Sequence, residues 1–170
     1  MNISTIDHSS KFNRIISSLM LLLSLVIAIF PNWLKPVCGP MENGRFMACH
    51  YSAIYTGVVF AVLAILLLIQ IIVNRKGVYI LGSLLSVLAV VFSYLLVTRR
   101  IRIPVPGMEP MMGKDGQMHV MTFGLCKKAD MVCHQSYAVI HILMLILAAL
   151  AVVLLLKAWA EMKNQESFRK

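Results

Sequence analysis

Four uninterrupted apolar runs, residues 15–34, 51–73, 78–98 and 136–158, constrain this chain more than any other feature. Each is close to the roughly 20 residues with which a helix crosses about 30 Å of hydrocarbon. None has Lys, Arg, Asp or Glu in its middle. Inside lipid a single segment satisfies its own N–H and C=O groups only as a helix, so the predicted architecture is all-α: a polytopic four-helix transmembrane bundle. The chain is 59% apolar and 14% charged, whereas soluble proteins average about 45–50% and about 25%, which excludes a soluble globule. Residues 1–170 read as one membrane domain. Lys11 and Arg14 ahead of the first run resemble a signal peptide, but the run is too long and lacks a small-x-small cleavage site; it is expected to remain a helix.

The connections alternate in length. Asn74-Arg75-Lys76-Gly77 is a minimal turn, which makes helices two and three a tight antiparallel pair, whereas residues 35–50 and 99–135 are long and hold all four cysteines. Pro31, Pro36 and Pro40 end the first helix and make the segment after it irregular. With an even number of crossings, both termini share one side and the long loops share the other.

The net charge of +9 reads as loops facing anionic lipid; no basic stripe with interleaved aromatics suggests nucleic acid. Counting does not orient the chain, because eight basic residues fall on each side. The basic pair before the first helix, and cysteines gathered in one compartment, favour cytoplasmic termini and extracytoplasmic cysteine loops in the cell inner membrane.

Met47-Ala48-Cys49-His50 before helix two matches Met131-Val132-Cys133-His134 before helix four. Composition alone predicts about 0.01 occurrences of Met-x-Cys-His in such a chain, so two indicate an internal repeat. Each copy follows another cysteine, Cys38 or Cys126. Two copies running in the same direction are related by an axis along the membrane normal, which brings both motifs to one mouth of the bundle.

The pattern Val37-Cys38-Gly39-Pro40 through His50, with Phe123-Gly124-Leu125-Cys126 through Cys133, resembles the bacterial four-helix membrane proteins grouped as domain of unknown function 4418. The resemblance covers nearly the whole chain. It implies four helices, this Cys, Met and His set, and an association with membrane transporter subunits such as ABC-type permeases. It implies no settled activity. Residues 104–118 look like an enlargement of the third connection, and nothing carries over from the family onto them.

That enlargement is rich in soft donors: Met108, Met111, Met112, Met118, His119 and Met121 all lie in it or just beyond it. Thioether, thiolate and imidazole suit copper(I), and Met or His pairs suit haem iron. The plainer explanation is that these residues cap the bundle, with Ile101, Ile103 and Val105 alternating along one strand of a small β-hairpin closed near residues 113–116. His141, two turns into the fourth helix, is an intramembrane ionisable group and a further candidate, though a neutral imidazole bonded to a neighbouring backbone carbonyl is the plainer alternative.

Three functions remain open. In the first, a non-catalytic accessory subunit binds a soft metal or haem through Cys49, His50, Cys133 and His134, flanked by Met47 and Met131. Adjacent Cys and His cannot both face one ion from a regular helix, but an irregular helix start lets one of each pair ligate. In the second, Cys38 with Cys49 and Cys126 with Cys133 form disulfides, each contributing about 2–4 kcal/mol, that staple a ligand-free partner protein. The third is a thiol–disulfide oxidoreductase similar in architecture to the DsbB-like quinone enzymes, although their usual Cys-x-x-Cys is missing. Hydrolase and ATPase motifs are absent, and a non-enzyme is favoured.

Overall fold

The computed structural model describes residues 3–34, 36–37, 39–40, 46–73, 75–106, 108, 111–112, 118–126 and 131–167. Four long helices dominate: α1 (Ile3–Ile29), α2 (Ala48–Val73), α3 (Lys76–Val97) and α4 (Val132–Ser167). All four are long and apolar enough to cross a membrane. α1, α2 and α4 overrun their apolar stretches, because hydropathy marks the hydrocarbon and the backbone keeps its helical bonds into the interface. One consequence matters for the site. The two Met-x-Cys-His motifs do not precede helices; they form the first turns of α2 and α4.

The main interfaces join α1 to α2, α2 to α3, α3 to α4 and α4 to α1. α2 and α4 therefore face each other across the bundle diagonal, as the repeat requires. Side chains such as Leu22, Ile65, Leu88 and Leu145 are more than half exposed and face outward, where lipid replaces water as the solvent. The interior holds the other faces, among them Met20, Ile27, Phe60, Leu67, Ile140, Met144 and Leu147.

Small and polar residues let the helices approach closely. Ser24 Oγ donates to the Phe60 carbonyl at 2.7 Å. α1 ends in a π-helical turn, Phe30–Leu34, that contains the buried Pro31, a position where proline cannot supply the usual N–H and the helix rewinds. Within that turn Asn32 Nδ2 reaches the Ala53 carbonyl at 3.2 Å. Gly57 makes room for it, since a Cβ there would stand 2.7 Å from Asn32 Nδ2. Toward the opposite end, Gln70 Nε2 donates to Ser17 Oγ at 2.7 Å, and the Gln70 amide lies where a side chain on Gly82 would be. Lys157 Nζ closes this end by donating to Asn13 Oδ1 at 2.9 Å.

A small hairpin is present in the third connection, but its strands are not the expected Ile101–Val105 run, which makes only an isolated bridge at Pro104. β1 (Met111–Met112) pairs antiparallel with β2 (Met118–His119), with Met111 opposite His119 and Met112 opposite Met118. The ladder continues toward the bundle through the Pro104–Thr122 bridge, with Val105 N–H on the Met121 carbonyl at 2.9 Å and Phe123 N–H on the Ile103 carbonyl at 3.1 Å. Leu96, Val105 and Phe123 bury its base, with Tyr51, Tyr55, Met108 and Met121 packed around them.

Candidate metal centre

The repeat is visible bond by bond at the cysteine end. The Met47 carbonyl accepts His50 N–H at 3.0 Å, and the Met131 carbonyl accepts His134 N–H at 3.0 Å. Three residues beyond each motif cysteine, Ser52 Oγ donates to the Ala48 carbonyl at 3.0 Å and Ser136 Oγ to the Val132 carbonyl at 3.1 Å. Ahead of each motif the loop ties back to the preceding helix, Val37 N–H to the Pro31 carbonyl at 3.2 Å and Leu125 N–H to the Val97 carbonyl at 3.1 Å.

Helical periodicity then points the cysteines inward. Cys49 shares a buried face with Ser52, Ala53 and Thr56, and Cys133 with Ser136, Tyr137 and Ile140, the i, i+3, i+4, i+7 spacing of one helix stripe. Because α2 and α4 oppose each other, the two stripes bring both thiols to the axis. Tyr137 forms the floor, its hydroxyl 3.3 Å from Thr56 Oγ1.

A third thiol comes from the loop. Gly124 adopts φ +138°, a conformation that side chains rarely tolerate, and its N–H donates to Ser52 Oγ at 2.8 Å. Two residues later Cys126 Sγ lies 3.3 Å from Cys49 Sγ and 3.8 Å from Met47 Sδ. His134 Nε2 lies 2.8 Å from the Cys126 carbonyl; a carbonyl only accepts, so the ring is the Nε2–H donor. The sulfurs of Cys49, Cys126 and Cys133 all lie within 4.8 Å of one another. Burial pushes the Cys126 thiol well above its ordinary range, and the neighbouring Cys49 and Cys133 push it further the same way.

The sequence model of the family described as domain of unknown function 4418 matches residues 20–158. The chain belongs to this family. No curated protein and no solved structure matches it. The matched stretch of this family member holds all four cysteines, both Met-x-Cys-His motifs and the hairpin.

Within this domain of unknown function 4418 bundle, the candidate residues separate. Cys49, Cys133 and Met47 come together, and Cys126 joins them. Sequence reasoning placed Cys126 in a staple; its parallel with Cys38 ahead of the repeated motif was a signal that it belongs with the motif itself. No disulfide joins Cys49, Cys126 and Cys133: the closure considered between Cys126 and Cys133 is absent, and Cys126 instead approaches Cys49 of the other repeat. Cys38, and with it the closure to Cys49, lies outside the described residues. Met131 is partly buried and packs against the core.

Neither motif histidine belongs to the thiol group. His50 turns about 100° from Cys49, as successive helical residues must, and stacks on Phe46 with centroids 4.1 Å apart. His134 spends Nε2 on the Cys126 backbone. His141 sits lower, between Tyr94 at 5.1 Å and Tyr137 at 6.1 Å, and its Nε2 has no hydrogen-bond partner among the described residues. Met108 and Met121 pack into the hairpin base; Met118 is 70% exposed, and His119 is exposed beside it.

Chemically, three thiols this close could hold a single ion. With metal–sulfur bonds of about 2.3 Å, sulfurs around one ion stand roughly 3.8–4.0 Å apart. The observed 3.3 Å between Cys126 and Cys49 and the 4.8 Å limit for the group bracket that separation, so modest side-chain rotation suffices.

Proposed function

We propose that this protein is a non-catalytic, soft-metal-binding subunit of a membrane transport system, holding copper(I) through Cys49, Cys126 and Cys133 with Met47 as a thioether neighbour. One observation carries the reading: three sulfurs from three separate segments lie within 4.8 Å of one another. The Met47 thioether, 3.8 Å from Cys126 Sγ, favours copper(I) over zinc, because thioethers are soft donors and rare zinc ligands. Haem fits this group poorly, since sulfurs packed so closely leave no gap for a porphyrin. His134 acts as an outer partner that fixes the Cys126 backbone.

The thiol end faces the extracytoplasmic side of the cell inner membrane, and both termini face the cytoplasm. The basic pair ahead of the first span and the gathering of cysteines in one compartment support this orientation. Partnership with a permease rests on the family resemblance and on the absence of any ATP-binding motif in the chain itself.

The test is to purify the full chain in detergent without reductant, then measure reactive thiols, bound metal and copper(I) uptake against a competing chelator. Copper(I) taken up by the wild type and lost when Cys49, Cys126 and Cys133 are each replaced by Ser supports the site. Disulfides that persist under reductant, with no copper(I) uptake in its presence, would reduce the protein to a stapled scaffold. Disulfides that exchange electrons with a quinone would make it an oxidoreductase. Membrane-impermeant thiol labelling of intact cells reports the orientation; reaction only from the cytoplasmic side overturns it.

A further inference from the structure

The end of α3 carries an arginine that the fold does not use. Arg99 adopts φ +58°. Its N–H reaches the Leu96 carbonyl at 3.1 Å, and Arg100 N–H reaches the Leu95 carbonyl at 2.9 Å. These two bonds close a helix through a left-handed residue, a place that glycine usually takes because a Cβ is strained there. The arginine side chain is not needed to cap the helix. The Tyr94 carbonyl accepts Thr98 N–H at 3.0 Å and the Val97 carbonyl accepts Leu125 N–H at 3.1 Å, so each of the last four carbonyls already has a backbone donor. The helix dipole favours a cation here, but Arg100 and Arg102 supply that charge without strain.

The side chain is nonetheless held in one place. Gly124 gives it a cradle, since a Cβ on that glycine would meet Cγ, Cδ and Nε of Arg99. Arg99 Nε is buried with no hydrogen-bond partner among the described residues, although the residue as a whole is partly exposed. A buried guanidinium N–H without an acceptor is unfavourable. Arg100 and Arg102 are exposed beside it, with Ile103 turned toward the hairpin base. None of the three arginines has an ion pair among the described residues. The apolar span of α3 ends at Val97, which puts the cluster just beyond the hydrocarbon, at headgroup depth. Below it Leu84, Leu88, Val91 and Tyr94 are each about half exposed and share one face by helical spacing.

We infer that Arg99, with Arg100 and Arg102, binds the phosphate group of an anionic phospholipid in the leaflet at the thiol end of the bundle, its acyl chains lying along the Leu84, Leu88, Val91 and Tyr94 face. The planar guanidinium fork matches two phosphate oxygens, and such charge-assisted bonds are strong and directional. The two exposed arginines draw anionic headgroups toward it. A phospholipid is the occupant because cationic cluster and apolar stripe adjoin at one helix end; a soluble anion would engage the arginines and leave the stripe unused. The strained position is thereby explained, since glycine would close the helix equally well but could not hold the phosphate. The site adjoins the thiols, because Gly124, on which Arg99 rests, lies two residues before Cys126. It needs no metal and stands apart from the copper(I) reading.

The test follows thermal unfolding of the full, metal-free chain in an uncharged detergent, titrated with phosphatidylglycerol or with phosphatidylcholine of the same acyl chains. Phosphatidylglycerol should raise Tm more than phosphatidylcholine does, and added salt should shrink the difference. Arg99→Gly is the decisive variant, because glycine suits the left-handed position. Its lipid-free Tm should equal or exceed that of the wild type, while its apparent affinity for phosphatidylglycerol falls about tenfold or more. Arg100→Gln with Arg102→Gln changes two exposed side chains and leaves Arg99 and its cradle intact; it should weaken phosphatidylglycerol by about fivefold or more. Equal stabilisation by both lipids, or a phosphatidylglycerol effect that survives Arg99→Gly, overturns the inference. Inorganic phosphate that reproduces the effect identifies a soluble anion and overturns the lipid assignment. If Arg99→Gly lowers the lipid-free Tm, the double variant decides: unaltered phosphatidylglycerol affinity there makes Arg99 a packing residue and ends the proposal, and a loss upholds it.

Discussion

Gly124→Ala isolates how the backbone delivers the third thiol. Residues with a Cβ rarely adopt φ +138°, and an added methyl would meet Cγ and Nε of Arg99. Holding such a conformation costs about 1–3 kcal/mol. The chain can relax only by rotating there, which loosens two bonds that lead into Cys126: Gly124 N–H to Ser52 Oγ at 2.8 Å and Leu125 N–H to the Val97 carbonyl at 3.1 Å. If only molecules with Cys126 in place bind the ion fully, the apparent Kd rises by the lost population. At about 1.4 kcal/mol per decade, the penalty becomes a weakening of roughly 5-fold to 140-fold. Copper(I) competition with a chelator, on detergent-purified protein of unchanged helicity, measures it. Affinity within about twofold of wild type would refute the reasoning. Two further variants sharpen it. With Cys126 already replaced by Ser, the glycine change should add little, because the thiol it positions is gone. If Arg99→Ala restores full affinity to the Gly124→Ala protein, crowding rather than the dihedral angle was the cost.

The same competition should separate the histidines: His134→Ala weakens binding about 10-fold to 100-fold by releasing the Cys126 carbonyl, whereas His50→Ala, whose ring stacks on Phe46, leaves it unchanged. Because burial holds the Cys126 thiol protonated, copper(I) must displace protons; its affinity should fall on acidification by about tenfold per pH unit for each proton displaced. The metal-free fold responds in the opposite direction. The folded thiol pKa is raised, so its contribution is fully present below the unfolded value of about 8.5 and is lost as pH rises beyond it, which thermal melts across that range check. Gln70→Leu should leave stability unchanged or raise it by about 1 kcal/mol. It gives up a bond to Ser17 of about 0.6 kcal/mol, but it also removes a buried carbonyl oxygen with no partner among the described residues, which costs about 1–3 kcal/mol. A loss above about 1.5 kcal/mol in reversible detergent unfolding would show that the Gln70–Ser17 bond matters more than that.

Four spans, the short turn between the second and third, the repeated motif and the presence of a hairpin were all legible in the residues. Each depends on local chemistry: apolar length against bilayer thickness, alternation along a strand, and a four-residue pattern too rare to recur by chance. The donor set was legible only in part. Met47, Cys49 and Cys133 announced themselves by repetition, but which of each Cys-His pair turns inward depends on where the helix begins. Hydropathy cannot supply that, because the first turn of α2 starts at Ala48, ahead of the apolar run. Only the packing of α2 opposite α4 decides that the two thiols meet at the axis while His50 and His134 turn aside. Cys126 lay further from view. Its place follows from a glycine dihedral, a serine hydroxyl on another helix and a histidine reaching back across eight residues, interactions between segments that no linear pattern encodes.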